Sequence, residues 1–201
     1  MDAKAIHETL VAQFGEKITG AALEAASPFA VVATDAIAEV AAFCKASPAL
    51  AFDNLMCLSG VDYPKEAPPR MEVVYHLYSY THLHTFALKV HLPRENPAVP
   101  TVEKTWGVAN WHEREAWDLL GIVFTGHSDP RRILLPDDWE GHPLRKDEGN
   151  PLEYPAAVPH ARVEQPVRPE RELAAVVVRV RRVLDDDEDH LARGIGGGAG
   201  G

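Results

Sequence analysis

Cysteine is nearly absent. The 201-residue chain has two, Cys44 and Cys57. A disulfide framework is not expected from two distant thiols. An iron–sulfur cluster normally takes four thiolates, so this chain cannot hold one alone. Both cysteines read as small buried hydrophobes. Long apolar runs are missing too, and none approaches the ~20 residues that span a bilayer. The N-terminus, MDAKAIHETL, carries neither a basic-then-apolar signal nor an Arg-rich transit pattern. The chain is therefore expected to stay where it is made. A basic face is lacking: the net charge is −10, and five of those charges form the run Asp185-Asp186-Asp187-Glu188-Asp189. That balance argues against nucleic-acid binding.

The usual chemical fingerprints are also missing. There is no P-loop and no GxSxG, and the GxGxxG spacing occurs only in the terminal glycine run. Gly196-Gly197-Gly198 follows no strand and precedes no helix, so it is a tail and not a phosphate loop. His112-Glu113 begins HExxH, but Ala116 stands where the second histidine belongs. His82 and His84 are two apart and would share a strand face, yet no third ligand follows at a recognisable spacing. A metal-dependent hydrolase built on them, or a hard-cation site at Asp137, Asp138, Glu140 and His142, is a weak reading. Nothing here carries a hydride, an electron or a nucleophile by itself.

What is present is an ordinary globular composition, 46% apolar and 25% charged. Ala3 to about Lys17 reads as a helix with Ile6, Leu10 and Phe14 on one side. Phe29–Ala33 is a short buried strand. Thr34 or Asp35 can cap a helix from Ala36 to about Ala46. Leu55–Leu58 is the next strand, giving a β-α-β start. Met71–Tyr80 and His84–Leu92 alternate as strands, joined by Thr81-His82-Leu83 as a hairpin. Pro100-Thr101 opens a helical region. The fold class is α+β: a small mixed β-sheet with helices packed on one side. This domain covers residues 1–148. From 149 to 201 the texture changes to an extended C-terminal tail: proline-rich through residue 169, ambiguous from Leu173 to Leu184, then acidic and glycine-rich.

The densest stretch is Trp111 to Lys146, with three of the four tryptophans and many ion-pairing residues. Bulky indoles beside that many charges suggest a protein–protein contact surface. Trp111–Leu120 has no Pro or Gly, and Gly121 sits where a C-cap glycine belongs. Glu113, Ala116, Trp117 and Leu120 share one face, while Arg114, Glu115 and Asp118 share the opposite side. Glu113 on the apolar face needs a partner. Arg131 and Arg132 are expected to supply it, Arg132 being the structural one and Arg131 facing outward. A structural ion pair is favoured over an acid–base pair. Ile133-Leu134-Leu135 reads as a short buried strand, and Asp137-Asp138-Trp139-Glu140-Gly141 as a turn.

Glu113 through Asp147 closely resembles the signature of the 30 kDa subunit family of respiratory complex I. Val61-Asp62-Tyr63-Pro64, Met71 to Ser79, and Asn96 to Val102 fall in the family's order, so the resemblance covers roughly residues 30–148. Where the family usually reads GHPDLRR, this chain has Ser128 and Pro130. The resemblance implies a hydrophilic peripheral-arm subunit of a proton-pumping NADH:quinone oxidoreductase, without a redox centre of its own. Flavin, iron–sulfur clusters and quinone are then expected in partner subunits. The chief partner is the hydrogenase-like quinone-site subunit. The location is peripheral, on the cytoplasmic side of a bacterial inner membrane. Its signature or interface residues are Glu113, Arg114, Glu115, Asp118, Gly121, His127, Asp129, Arg131, Arg132, Asp137, Asp138 and Trp139. An equivalent subunit of a membrane-bound hydrogenase or antiporter-linked complex is the alternative.

Overall fold

The computed structural model describes residues 1–146. The expectations for the tail lie outside the described residues. The first helix, α1 (Ala3–Phe14), starts at Asp2, whose carboxylate accepts the Ala5 amide at 2.8 Å. It buries Ile6 and Leu10, the expected face. A strand follows that no alternation of large side chains announces: β1 (Ile18–Ala22) holds Gly20 and two alanines. β2 (Phe29–Val32) leads through one 3-10 turn into α2 (Ile37–Ala46). Neither Thr34 nor Asp35 caps α2 with its side chain. The Thr34 hydroxyl donates to the His91 carbonyl instead.

Three ten-residue strands complete the main sheet: β3 (Asn54–Tyr63), β4 (Arg70–Ser79) and β5 (His84–Pro93). The order is β1-β2-β5-β4-β3, with β2 and β5 parallel and the other neighbours antiparallel. The β-α-β start is therefore a crossover whose two strands are separated by β5 and β4. Val73, Tyr75 and Leu77 on β4 stand opposite Val90, Leu88 and Phe86 on β5, and all six are buried. They form the inner face, against which Ile6, Leu10, Ile37, Val40 and Cys44 pack. Each large side chain buried there contributes roughly 1.5–3 kcal/mol. Burial pushes the Cys44 thiol up to about 12, as suits a residue used for packing.

The helix expected from Pro100 does not begin there. Residues Ala98–Pro100 are β6, paired in parallel with β7 (Val123–Thr125). The Thr101 amide donates to the Thr125 carbonyl, so this backbone is committed to a second, two-stranded sheet. Helix α3 (Ala109–Leu120) follows a turn anchored by Trp106, whose indole N–H donates to the Phe52 carbonyl at 3.0 Å. The end of α3 lies on β3 at Gly60. A Cβ there would sit 2.5 Å from Leu120 Cδ1 and 2.8 Å from Ile122 Cδ1. Gly121 ends the helix in the left-handed conformation (φ 73°), as a C-cap glycine should. Among the described residues, no helix is long and apolar enough to cross a membrane.

Candidate partner interface

Helix α3 is covered on two sides. One faces the sheet through Ala109, Glu113, Ala116 and Leu120, all buried. The other carries Arg114 and Asp118, and the chain after β7 folds over it. Asp118 is fully buried at that seam. Its Oδ2 accepts the amides of Ile133, Leu134 and Leu135 at 3.1, 2.9 and 3.0 Å. Its Oδ1 accepts Arg132 Nη1 at 2.7 Å. Burial alone would raise this carboxyl, but the three amides and the guanidinium outweigh it and hold it below the usual carboxylate range. Ile133–Leu135 is therefore not a strand. It is a bend whose consecutive amides converge on one anion. Leu134 is left 61% exposed.

The expected pairing of Glu113 with Arg131 or Arg132 does not occur. Arg132 is structural, but its partners are Asp118 and the Trp139 carbonyl. Arg131 lies outside, 75% exposed, and bonds Asp129 two residues away. Glu113 finds its donors upstream, in the Thr101 hydroxyl and the Val102 amide. A backbone amide in a loop leaves no mark in side-chain patterning, so sequence reasoning could not find it. Burial pushes Glu113 up to about 7, against the opposing pull of those donors and of His127. His127 Nε2 lies 3.8 Å from Glu113 and 3.6 Å from Glu103.

Arg114 holds the covering loop from the helix. It donates to the carbonyls of Arg131 and Arg132 at 3.0 and 2.9 Å and lies over the Trp111 ring. A shallow pocket lies beside it, lined by Glu113, Trp117, Phe124, His127 and Pro130. Trp111 is 60% exposed. Of the signature residues, Glu113, Arg114, Asp118, His127, Asp129, Arg132 and Trp139 join the inner network. Glu115, Arg131, Asp137 and Asp138 face solvent. Trp139 closes the expected turn with its amide on the Pro136 carbonyl.

The end of the loop returns to the domain. His142 Nδ1 bonds the Asp118 carbonyl, and its ring packs where a Cβ on Gly121 would stand. Arg145 Nε caps α3 at the Leu120 carbonyl. The Lys146 amide and Arg94 both donate to Asp62, which is buried on β3. Asp62, Arg94, Thr101, Glu103 and Arg145 were not among the expected site residues. Asp62, Thr101 and Arg145 lie inside the segments that carry the family resemblance, which was the signal available for them. Arg94 and Glu103 lie outside those segments. The expected face-sharing of His82 and His84 serves no common ligand: Nε2 of each ring bonds a backbone carbonyl, that of Pro48 for His82 and that of Leu50 for His84. Among the described residues no three His, Cys, Asp or Glu side chains gather as a metal site.

The family model for the respiratory-chain NADH dehydrogenase 30 Kd subunit matches residues 30–153. The C-type NADH-quinone oxidoreductase subunit of Roseiflexus sp. (strain RS-1) is 45% identical over 147 residues, 73% of this chain and 84% of that one. The C-type F(420)H(2) dehydrogenase subunit of Methanosarcina mazei is 44% identical over 156 residues, 75% of this chain and 95% of that one. Among solved structures, the trypsin-resistant fragment (1-134) of Nqo5 is 33% identical with a TM-score of 0.53, covering 64% of this chain and 99% of that one.

Proposed function

The chain belongs to the respiratory-chain NADH dehydrogenase 30 Kd subunit family, and from that premise we propose that it is a scaffold subunit of a proton-pumping NADH:quinone oxidoreductase. It contributes no redox centre. It binds the hydrogenase-like quinone-site subunit and helps fix it while electrons pass from NADH to quinone through flavin and iron–sulfur clusters in other subunits. It is peripheral, attached to the membrane only through the complex, on the cytoplasmic face of a bacterial inner membrane.

The observation that carries the reading is the division of labour around α3. An inner network of Asp118, Arg132 and Arg114 holds a loop in place, while Trp111, Arg131 and Leu134 are left at its surface. An exposed tryptophan and arginine on a fixed frame are what interface anchors are made of. The test is affinity capture of the full chain from detergent-solubilised membranes, with the partners identified by mass spectrometry. Recovery of a flavin- and NADH-binding subunit together with the quinone-site subunit supports the reading.

The M. mazei relative, covered over 95% of its length, favours a second reading. The same scaffold would then serve a complex with another electron donor, such as a hydrogenase- or antiporter-linked assembly. Capture of the quinone-site subunit without an NADH-binding subunit selects it.

A further inference from the structure

The tip of the β4–β5 hairpin, Tyr80 to Leu83, shows the two most exposed large apolar side chains among the described residues. Tyr80 is 65% exposed and Leu83 74%. Charge is missing around them. From Val73 to Leu88 the chain has no Asp, Glu, Lys or Arg, in a sequence that is 25% charged. A turn facing only water is ordinarily built from Gly, Asn, Asp, Ser or Pro.

Leu83 also stands in an unfavourable backbone conformation. Its φ of 52° is left-handed, a region that glycine and asparagine enter readily and leucine enters at a cost. The short hairpin loop accounts for the conformation, since such loops need a residue in that region to rejoin the strands in register. It does not account for the leucine. Glycine or asparagine would make the same turn with less strain and would not hold an isobutyl group in water. A strained residue kept at the surface points to a use for its side chain.

The tip is pinned by its own bonds. The Leu83 amide donates to the Ser79 carbonyl at 2.9 Å, and the His82 amide to the Ser79 hydroxyl at 3.1 Å. The Tyr80 amide donates to Asp53 Oδ1 at 3.2 Å. Nε2 of His82 donates to the Pro48 carbonyl at 2.8 Å, and Nε2 of His84 to the Leu50 carbonyl at 2.9 Å, which ties the hairpin to the turn after α2. The Tyr80 ring stands edge-on to Tyr78, with 4.9 Å between centroids. Two apolar side chains are thus displayed on a frame that loses little freedom on contact.

We infer that Tyr80 and Leu83 form a second anchor of this subunit, beside the α3 face, and fill an uncharged apolar pocket on a neighbouring subunit of the complex. The inference rests on the scaffold reading above. Charge decides the class of occupant. A lipid surface is gripped by Lys or Arg next to the apolar group, whereas the charged contact of this tip among the described residues is the Asp53 carboxylate, an anion. A second copy would bring an identical projecting tip to a two-fold contact, and two projections offer each other no pocket. A charged protein surface would leave both side chains unmatched. An uncharged pocket matches the tip in shape and in charge.

The test is photocross-linking in membranes from the tagged full chain, with benzoylphenylalanine in place of Tyr80. The expected product joins this chain to another subunit of the complex, at a peptide without charged side chains. A cross-link to a second copy or to lipid, or no cross-link while the complex is recovered, overturns the inference. Leu83→Asn supplies the second arm. Asparagine accepts the left-handed backbone, so the melting temperature of the purified chain should hold or rise. Recovery of the cross-linked subunit should fall by about tenfold or more. A lower melting temperature would make Leu83 a packing residue, and an unchanged recovery would leave its side chain without a contact; either result overturns the anchor. Recovery of no subunit by the wild-type chain would overturn the scaffold reading, and this inference with it.

Discussion

Asp118 bears a heavy local load. Four donors converge on its carboxylate, and three of them are consecutive backbone amides. Asp118→Ala strands those amides and the Arg132 charge in one step. Breaking a buried pair in this way costs about 3–5 kcal/mol. For a domain of this size the expected fall in melting temperature is about 10 °C, read by circular dichroism. Arg131→Ala removes only an exposed pair with Asp129 and should leave the melting temperature where it is. Glu113 adds a pH dependence whose sign is fixed by its direction of shift. Its folded value, about 7, lies above the ordinary value of 4.5. The stability it permits is therefore fully present below about pH 4.5 and lost as pH rises through about 7. A shift of about two to three pH units corresponds to roughly 3 kcal/mol. Thermal denaturation from about pH 4.5 to about pH 7.5 should show wild type losing stability and Glu113→Gln losing far less.

At the scale of elements, two glycines decide how α3 is seated. Gly60→Ala places a methyl against Leu120 and Ile122, both buried, so the helix end must shift from β3. Overpacking of this kind costs about 1–3 kcal/mol, measurable by urea denaturation. Where side-chain periodicity reflects burial, it located the elements well. The β4–β5 hairpin, α2, and α3 with its glycine cap were all legible in Val73-Tyr75-Leu77, in Ile37-Val40-Cys44 and in Gly121. Where backbone hydrogen bonds decide, the pattern was silent or misleading. β1 has Gly20 and small residues in place of alternation. β6 and β7 are three residues each, too short for a period. Ile133-Leu134-Leu135 looked like a buried strand because it is apolar, yet its amides turn inward onto Asp118 while Leu134 faces solvent. Asp118 itself fell on the expected polar side of α3. It is buried because a distant loop covers that side, and helix geometry within α3 cannot report this.

The whole described domain joins one inner network to one exposed face. Asp62 on β3 holds Arg94 and the Lys146 amide, so the covering loop is tied at its far end to the sheet as well as to α3. A loop pinned at both ends holds Arg131 and Leu134 in fixed relation to Trp111 on α3. This is the arrangement a scaffold subunit needs, since little conformational entropy is then lost on assembly. The most direct test of the account is quantitative capture from membranes using the tagged full chain, comparing wild type with the double variant Trp111→Ala/Arg131→Ala. The melting temperature of each purified chain is measured in parallel. Equal melting temperatures are expected, with a recovery of the quinone-site subunit lower by about tenfold or more for the two anchors removed. Equal recovery by two equally stable chains would contradict it, because the exposed face of α3 and its loop would then not be where this subunit meets its neighbour.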